Sequence, residues 1–360
     1  MKKIIKFGIL PVLILLIVGV LVFALLYSFN VNKPASKESH DIHFEVKEGQ
    51  SVKKIGENLE DKDLIRSQFW FEMYVWLNGK SEEFQTGDYI LNTRNSIAET
   101  VKILTQGQTR EGRSRGETEV KLIEGWTAQK MGEAFEEKGM FSQEKWLDAV
   151  GRPKFNYENN EGKHPEPVDY SREFEFLKNK PERVGLEGYL FPDTYRFYKS
   201  TAPKTVAWKM LNNLDKKLTS KMLKDIEKQG RTVHDVLTMA SIVQKEVSGV
   251  EDMKIVSGIL WSKYKRGEKL RSCATLAYIL GEEKVQYSRE DTEVRSPYNT
   301  YAVKGLPPGP ISNPGLKAIK AAIYPKYTNY NFFLSPPDSD KTIYSKTFRE
   351  HKKNKQKYLE

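Results

Sequence analysis

The 360-residue chain contains a single cysteine, Cys273. A disulfide framework and a cysteine-rich metal site are therefore excluded. Histidine is scarce as well. The five histidines (His40, His43, His164, His234 and His351) form no HExxH pair, which argues against a zincin-type protease. The composition lacks the bias of a disordered or fibrous chain, with 39% apolar and 29% charged residues. Only one apolar run could cross a bilayer, so a polytopic membrane protein is excluded. The length suits two or three domains. What the chain has in excess is positive charge, a net +10. Nucleic acid, lipid headgroups and anionic wall polymers would all suit that charge, which does not choose among them.

The N-terminus does choose. Phe7 to Phe29 is a stretch of 23 residues without a charge. At about 1.5 Å per residue it spans roughly 35 Å, more than a bilayer core of about 30 Å. Lys2, Lys3 and Lys6 precede it. The positive-inside rule keeps such an N-terminus in the cytoplasm and sends the rest across. A cleaved signal peptide would have an apolar core of about 7–15 residues and a small-residue cleavage site. The expectation is a cytoplasmic tail (1–6), a single-pass, uncleaved anchor (7–29) and a tether (30–43). Without the three leading lysines the outer portion carries +7. Genomic nucleic acid is then no partner, because this surface never meets it.

The region 44–150 contains an internal echo. FEVKEGQSVKKIGENLEDKDLI (Phe44–Ile65) aligns with VKLIEGWTAQKMGEAFEEKGMF (Val120–Phe141) at an offset of 76. Glu48-Gly49 falls on Glu124-Gly125, Ile55 on Met131, Gly56 on Gly132, Leu59 on Phe135 and Leu64 on Met140. Each copy reads as a strand, a glycine turn and an amphipathic helix, with Ser51 or Thr127 at the N-cap. The first copy continues through a helix near Gln68–Leu77 and a hairpin-like FQTGDYIL. It ends in SIAETVKILTQG, a helix stopped by Gly107. Modules beginning in this way resemble glycan-binding LysM domains over the turn and first helix. A plain α+β spacer is the other reading, and both stay open. Residues 151–183, rich in Pro, Asn, Lys and Glu, read as a linker or surface insertion.

The unusual chemistry lies in 184–360. LEGYLFPDTYRF (Leu186–Phe197) alternates Tyr189, Phe191, Tyr195 and Phe197 around Pro192-Asp193. Rings beside carboxylates suit a sugar cleft, and a buried aromatic strand is the plainer account. In VHDVLTMASIVQKEV (Val233–Val247), Val233, Val236, Leu237, Ala240 and Val243 form a helical stripe. Glu246 follows Met239, Ile242 and Val243 by seven, four and three residues, so it projects beside apolar side chains. Gln244 sits about 200° around the helix from it. Ser248-Gly249 is expected to end the helix. A carboxylate near a helix C-terminus opposes the macrodipole, and apolar surroundings disfavour its charge. Both effects raise its pKa and suit a general acid, although a glutamate on a helix is ordinarily solvated. SPYNTYAVKGLPPGPISNPG (Ser296–Gly315) interleaves prolines with glycines and reads as a rigid loop. Tyr298, Asn299, Thr300 and Tyr301 tilt it toward facing a ligand, with a structural crossover as the alternative. In LRSCATLAYILG (Leu270–Gly281), Cys273 reads as a small buried residue.

LEGYLFPDTY, ASIVQKEV, LRSCATLAYILG, SPYNTY and GLPPGPISNPG occur in this order behind one anchor. The combination resembles the YceG-like endolytic murein transglycosylase (MltG) family, from about Phe44 through NFFLSPP…YSKTFREH (Asn331–His351). The resemblance implies an α+β chain: one transmembrane helix, LysM-like modules, then a mixed α/β catalytic domain over 184–360. It implies a membrane-anchored lyase, bulk outside the cell, that cuts peptidoglycan glycan strands internally and releases or terminates new strands. The family's acid, the second of an E-K-E run, falls on Glu246. The first acid of that run is Gln244 here. Candidate substrate-binding residues are Tyr298, Asn299, Thr300, Tyr301, Glu187, Tyr189, Asp193 and Gln244. No metal or cofactor is required. Glycan strands, the membrane and peptidoglycan synthases are the implied partners. A glycan-binding scaffold without catalysis, favoured by Gln244, and a hydrolytic muramidase are the competing classes.

Overall fold

A computed structural model describes residues 4–47, 49–106, 117–199, 201–336 and 341–359. The expectations for Glu48 and Gly107, and part of the late motif (337–340), lie outside the described residues. The chain forms two compact units, Met1–Arg113 and Ser114–Glu360. It is a mixed α+β protein whose described sheets are three antiparallel strand pairs.

The first unit contains α1 (Ile4–Asn32), β1 (Asp41–Val46), α2 (Val52–Asp61), α3 (Gln68–Leu77), β2 (Gly87–Asn92) and α4 (Ile97–Gln106). Among the described residues, α1 is the one helix long and apolar enough to cross a membrane. Its Leu15–Asn32 stretch has a mean hydropathy of 2.1 and is 6% buried. The expected FQTGDYIL hairpin is not one. Its second half, β2, pairs instead with the distant β1, Phe44 opposite Tyr89. Phe44, Ile55, Leu59, Phe71, Leu91 and Leu104 close the core of this unit.

The second unit begins with β3 (Glu117–Lys121), α5 (Ala128–Glu137), α6 (Gln143–Val150), β4 (Thr194–Tyr198), α7 (Pro203–Lys217) and α8 (Ser220–Lys228). It continues with α9 (Val233–Glu246), α10 (Val250–Lys265), α11 (Cys273–Leu280), α12 (Arg289–Glu293) and α13 (Leu316–Ile323). It ends with β5 (Phe332–Leu334), β6 (Ile343–Ser345) and α14 (Phe348–Leu359).

The echo is physical. In each copy a glycine with positive φ, Gly49 (72°) or Gly125 (85°), turns the chain from strand to helix. Ser51 accepts from the Lys54 N–H and Thr127 from the Lys130 N–H, as N-caps do. Each helix then carries a glycine that lets the next helix close in. A Cβ on Gly56 would lie 2.9 Å from the Phe71 ring, and one on Gly132 would lie 2.9 Å from Trp146. The two copies nonetheless fall in different units. β3 pairs with β4, Val120 opposite Tyr195, so the second copy is built into the same unit as Glu246.

The segment 151–183 also differs from its sequence reading. Tyr170, Phe174, Phe176 and Leu177 are core residues of the second unit. The Tyr170 hydroxyl donates to the Lys204 carbonyl at 2.7 Å. Short irregular turns space these rings, so no helical or strand period marks them in the sequence.

α13 packs against both α9 and α10 with small residues, Ala318, Ala321 and Ala322, all buried. Beside this layer the chain presses on Gly258 of α10. The Lys326 N–H donates to the Lys254 carbonyl at 2.9 Å, and a Cβ on Gly258 would stand 2.2 Å from the Lys326 carbonyl oxygen. Alanine ordinarily stabilises a helix over glycine by about 0.5–1 kcal/mol. Here the clash with backbone reverses the sign. Gly258→Ala should destabilise the second unit by about 1–3 kcal/mol and lower its melting temperature by several degrees, as read by calorimetry.

Candidate active site

α9 is the buried axis of the site. A capping box starts it: Thr232 caps the Asp235 N–H, and Asp235 returns a bond to the Thr232 N–H. Val236, Leu237, Met239, Ala240, Ile242 and Val243 are all buried. Glu246 is the last helical residue, and Val247 turns extended. The half-buried carboxylate meets the start of α11. The Ser272 hydroxyl donates to Glu246 Oε1 in a short hydrogen bond, and the Ala274 N–H donates to the same oxygen at 3.2 Å. Ser272 is the N-cap residue of α11, yet its side chain makes no cap bond. It is spent on the acid instead. Burial pushes the Glu246 carboxyl above its ordinary value, and Ser272, the Ala274 N–H and the Lys263 charge pull against it less strongly. Lys263 is itself buried, donates to the Leu270 carbonyl at 3.2 Å, and is pushed down to about 8 by burial.

A threonine pair fixes the α11 start. Thr300 Oγ1 accepts from the Ser272 N–H at 3.0 Å and lies 2.9 Å from Thr275 Oγ1. Arg271, immediately before, has φ 56°, a strained value for a non-glycine residue. Cys273 is exposed, contrary to its sequence reading, with its sulfur 3.1 Å from the Tyr301 hydroxyl. It is the first residue of α11, where the side chain leaves the helix beside the acid's donors.

The other candidates divide. Tyr301 is half-buried next to Cys273, and Asp193 is exposed and accepts from Asn213 at 3.0 Å. Asn299 and Thr300 are fully buried. The Asn299 amide donates to the Thr292 and Val294 carbonyls at 3.0 and 2.8 Å, so its polar groups hold the loop and face no cleft. Tyr298 is buried against Tyr278, with ring centroids 5.2 Å apart. Tyr189 is buried too, its hydroxyl 2.8 Å from His234 Nδ1. Tyr189, Tyr298, Asn299 and Thr300, expected to meet substrate, are thus buried residues of the second unit.

The Pro-Gly loop is interior as well. His234 Nε2 lies 2.9 Å from the Pro308 carbonyl, Ser241 Oγ accepts from the Ile311 N–H at 3.0 Å, and Gln244 Oε1 accepts from the Gly315 N–H at 3.0 Å. The loop therefore runs along α9 from one end to the other, and Gln244 is one of its fasteners. Asn313, which the sequence reading passed over, joins three segments. Its Oδ1 accepts from the Gly188 and Leu190 N–H groups at 2.8 and 3.1 Å. Its Nδ2 donates to the Trp126 carbonyl at 3.0 Å and to Glu187 Oε1 at 2.8 Å. Ser272 was missed too. Its signal was present, a serine at an N-cap position before the apolar run CATLAYIL.

Glu187 is interior, 7% exposed, and its Oε1 also accepts from the Ala128 N–H at 2.8 Å. Its Oε2 has no hydrogen-bond partner among the described residues, and Glu187 lines a cavity of about 10 Å³ with Tyr278 and Tyr298. Burial pushes Glu187 up to about 8 from an ordinary 4.5. Between those values the unfolded chain has lost a proton that the folded chain keeps, so stability falls as pH rises through that window, by up to about 1.4 kcal/mol per pH unit. Glu187→Gln keeps the Oε1 acceptor and has no proton to lose. The variant should match the parent near pH 5 and become progressively more stable than it toward pH 8, by thermal unfolding. A constant difference across that range would show Glu187 to be ionised in the fold.

Comparison with known proteins completes the description. Residues 44–357 match the model of the YceG-like family. The chain is 30% identical over 340 residues to a Bacillus subtilis (strain 168) protein named endolytic murein transglycosylase, covering 93% of this chain and 90% of that one. It is 29% identical over 319 residues to a protein of the same name from Streptococcus pneumoniae serotype 2 (strain D39), of which it spans 57%. A 2.6 Å crystal structure of a YceG-like protein from Listeria monocytogenes superposes with a TM-score of 0.54 at 31% identity, over 89% of this chain and all of that one. With the family match running through both units and around Glu246, the chain belongs to the YceG-like family.

Proposed function

We propose that this protein is a peptidoglycan lytic transglycosylase in which Glu246 carries the proton. The observation behind this is the half-buried Glu246 carboxyl, held by Ser272 and Ala274, in a chain about 30% identical to proteins named endolytic murein transglycosylase. Burial keeps the acid protonated further up the pH scale than an ordinary glutamate. The donors from α11 then stabilise the carboxylate once the proton has gone. One residue thus serves both half-reactions.

Glu246 protonates the oxygen leaving MurNAc as the C1–O bond breaks, and the 2-acetamido group assists the cation-like transition state. The Glu246 carboxylate next takes the proton of the MurNAc 6-hydroxyl, whose oxygen bonds to C1. The products are a 1,6-anhydro-MurNAc end and a free 4-hydroxyl, with no water consumed. Tyr301, Asp193 and Gln244 are the sequence candidates left with surface to meet sugar, and Gln244 holds the Gly315 N–H with its amide oxygen. Cleavage is internal to strands and near the membrane, with α1 as a single-pass anchor and the bulk outside the cell. The first unit is a LysM-like module that holds glycan or sets reach. Strand release beside peptidoglycan synthases is the biological setting.

The scaffold reading leaned on Gln244. Its fastening bond to Gly315 gives that residue a structural task, and so weakens the inference that an active acid has been lost.

Glu246→Gln should lower the appearance of 1,6-anhydro ends from uncrosslinked glycan strands by about 10²–10⁴-fold, measured by mass spectrometry, with binding retained. Parent-rate turnover in that variant would move the proton to another group. Ser272→Ala removes a donor to the ionised acid, so the alkaline limb of the pH–rate profile should move up while the rate drops about ten-fold or more. An unmoved limb would separate Ser272 from the titrating group. Fractionation of cells should find the full-length chain in membranes. A soluble form beginning near residue 30 would overturn the anchor.

A further inference from the structure

α3 divides its surface in three. Phe71 and Val75 face the core of the first unit, 0% and 1% exposed. Trp70 faces α1, its ring centroid 5.7 Å from that of Phe23 and 6.2 Å from that of Tyr27. The third face is apolar and uncovered. Phe69, Trp76 and Leu77 are 56%, 71% and 52% exposed. With Met73 they fall at i, i+4, i+7 and i+8, which is one stripe of a helix. At about 100° per residue this stripe adjoins the Trp70 face, so it opens on the same side as α1.

Nothing in the core of the first unit needs a tryptophan and a phenylalanine in water. A bilayer does. α1 presents exposed apolar side chains up to its end, including Leu25 at 72% and Phe29 at 49%. Lys33 stands 3.9 Å over the Phe29 ring just beyond it. Rings followed by a cation mark the level where a membrane helix enters the headgroups. Thirty ångström of helix counted from Phe7 ends near Tyr27, at about 1.5 Å per residue. Tyr27 is one of the two α1 residues that meet Trp70. α3 is thereby fixed at the depth of the outer headgroups. Exposed Arg66, just ahead of the helix, suits anionic lipid there.

We propose that α3 is a second membrane contact, lying in the outer interface with Phe69, Trp76 and Leu77 inserted beside α1. This rests on the reading of α1 as an anchor. Insertion would stop the first unit from swinging on a tether and hold it flat on the lipid surface.

The test uses the full chain with Cys273→Ser and one new cysteine labelled with the environment-sensitive dye NBD. The proteins are reconstituted in nanodiscs of phosphatidylglycerol and phosphatidylethanolamine, with a nitroxide-labelled lipid quenching near the headgroups. Leu21→Cys reports on the anchor, Trp76→Cys on α3, and Glu57→Cys on the exposed face of α2. Trp76 and Phe69 are exposed, so replacing either leaves the core intact, and Phe69→Cys repeats the α3 reading. The dye at 76 and 69 should shift to the blue and lose most of its emission to the quencher, while the dye at 57 keeps its emission. A dye at 76 that stays unshifted and unquenched, with 21 quenched, overturns the proposal and leaves the anchor standing. A blue shift at 76 without lipid quenching means that protein covers the stripe, and also overturns it. No quenching at 21 overturns the anchor reading and, with it, the placement of α3 beside a membrane-spanning α1.

Discussion

One side-chain amide, that of Asn313, sets the frame in which the rest of the second unit sits. It accepts from two N–H groups of the 186–190 turn and donates both to the β3–α5 turn and to Glu187. Its own backbone pairs with Gly125 and Trp126, at 2.8 Å in each direction. Three segments far apart in sequence are tied by one residue. Both ends of the Asn313 amide are satisfied, and removing it would leave several backbone groups without partners. The Pro-Gly loop that carries Asn313 is therefore stiff for a reason. Prolines limit its freedom before folding, and α9 collects its polar groups after folding. What was expected to face a ligand is a strut that fixes α9, and with it the direction in which Glu246 points.

Glu187 and Glu246 have raised pKa values for the same primary reason, burial, and have different prospects. Glu187 is enclosed, with its bonded oxygen held by an amide and a backbone N–H. Only 7% of it is exposed, so little of it can meet an external substrate. Glu246 is half-buried at a helix end, with a hydroxyl and the first turn of α11 against it. Burial favours its neutral form and the α11 donors favour its charged form. A group poised between the two states can give up a proton and recover it. The contrast lies in access and donors rather than in the size of either shift.

Much of this was legible in the sequence. The apolar period of α9, its end near Ser248, the helix at Gln68–Leu77 and the repeated strand–glycine–helix are local features, and local features leave periodic traces. The glycine turns at Gly49 and Gly125 were readable because only glycine takes those φ values easily. What stayed hidden was pairing. No property of GDYILN says that its partner is DIHFEV 46 residues earlier rather than its own neighbour. Tyr170, Phe174 and Phe176 sit in a segment whose composition looks like a linker, and only the tertiary fold buries them. Likewise Asn299 and Thr300 look like ligand groups from sequence because polarity without coordinates cannot be assigned an inside or an outside.

Gln244 shows why a departure from a family pattern must be read through its contacts. Its amide oxygen accepts from the Gly315 N–H, a task that a carboxylate oxygen performs equally well. The difference lies in the neighbour. Glu124 packs against the same glycine so closely that a Cβ there would fall 2.0 Å from its carboxylate oxygen. An acid at 244 would set a second carboxylate on the same small residue, where like charges repel. A glutamine keeps the fastener and avoids that repulsion. The substitution thus fits the local electrostatics of this chain, on a face of α9 about 200° from the one that delivers Glu246. Geometry, and not the count of acids in a motif, separates the group that holds the loop from the group that is placed to move a proton.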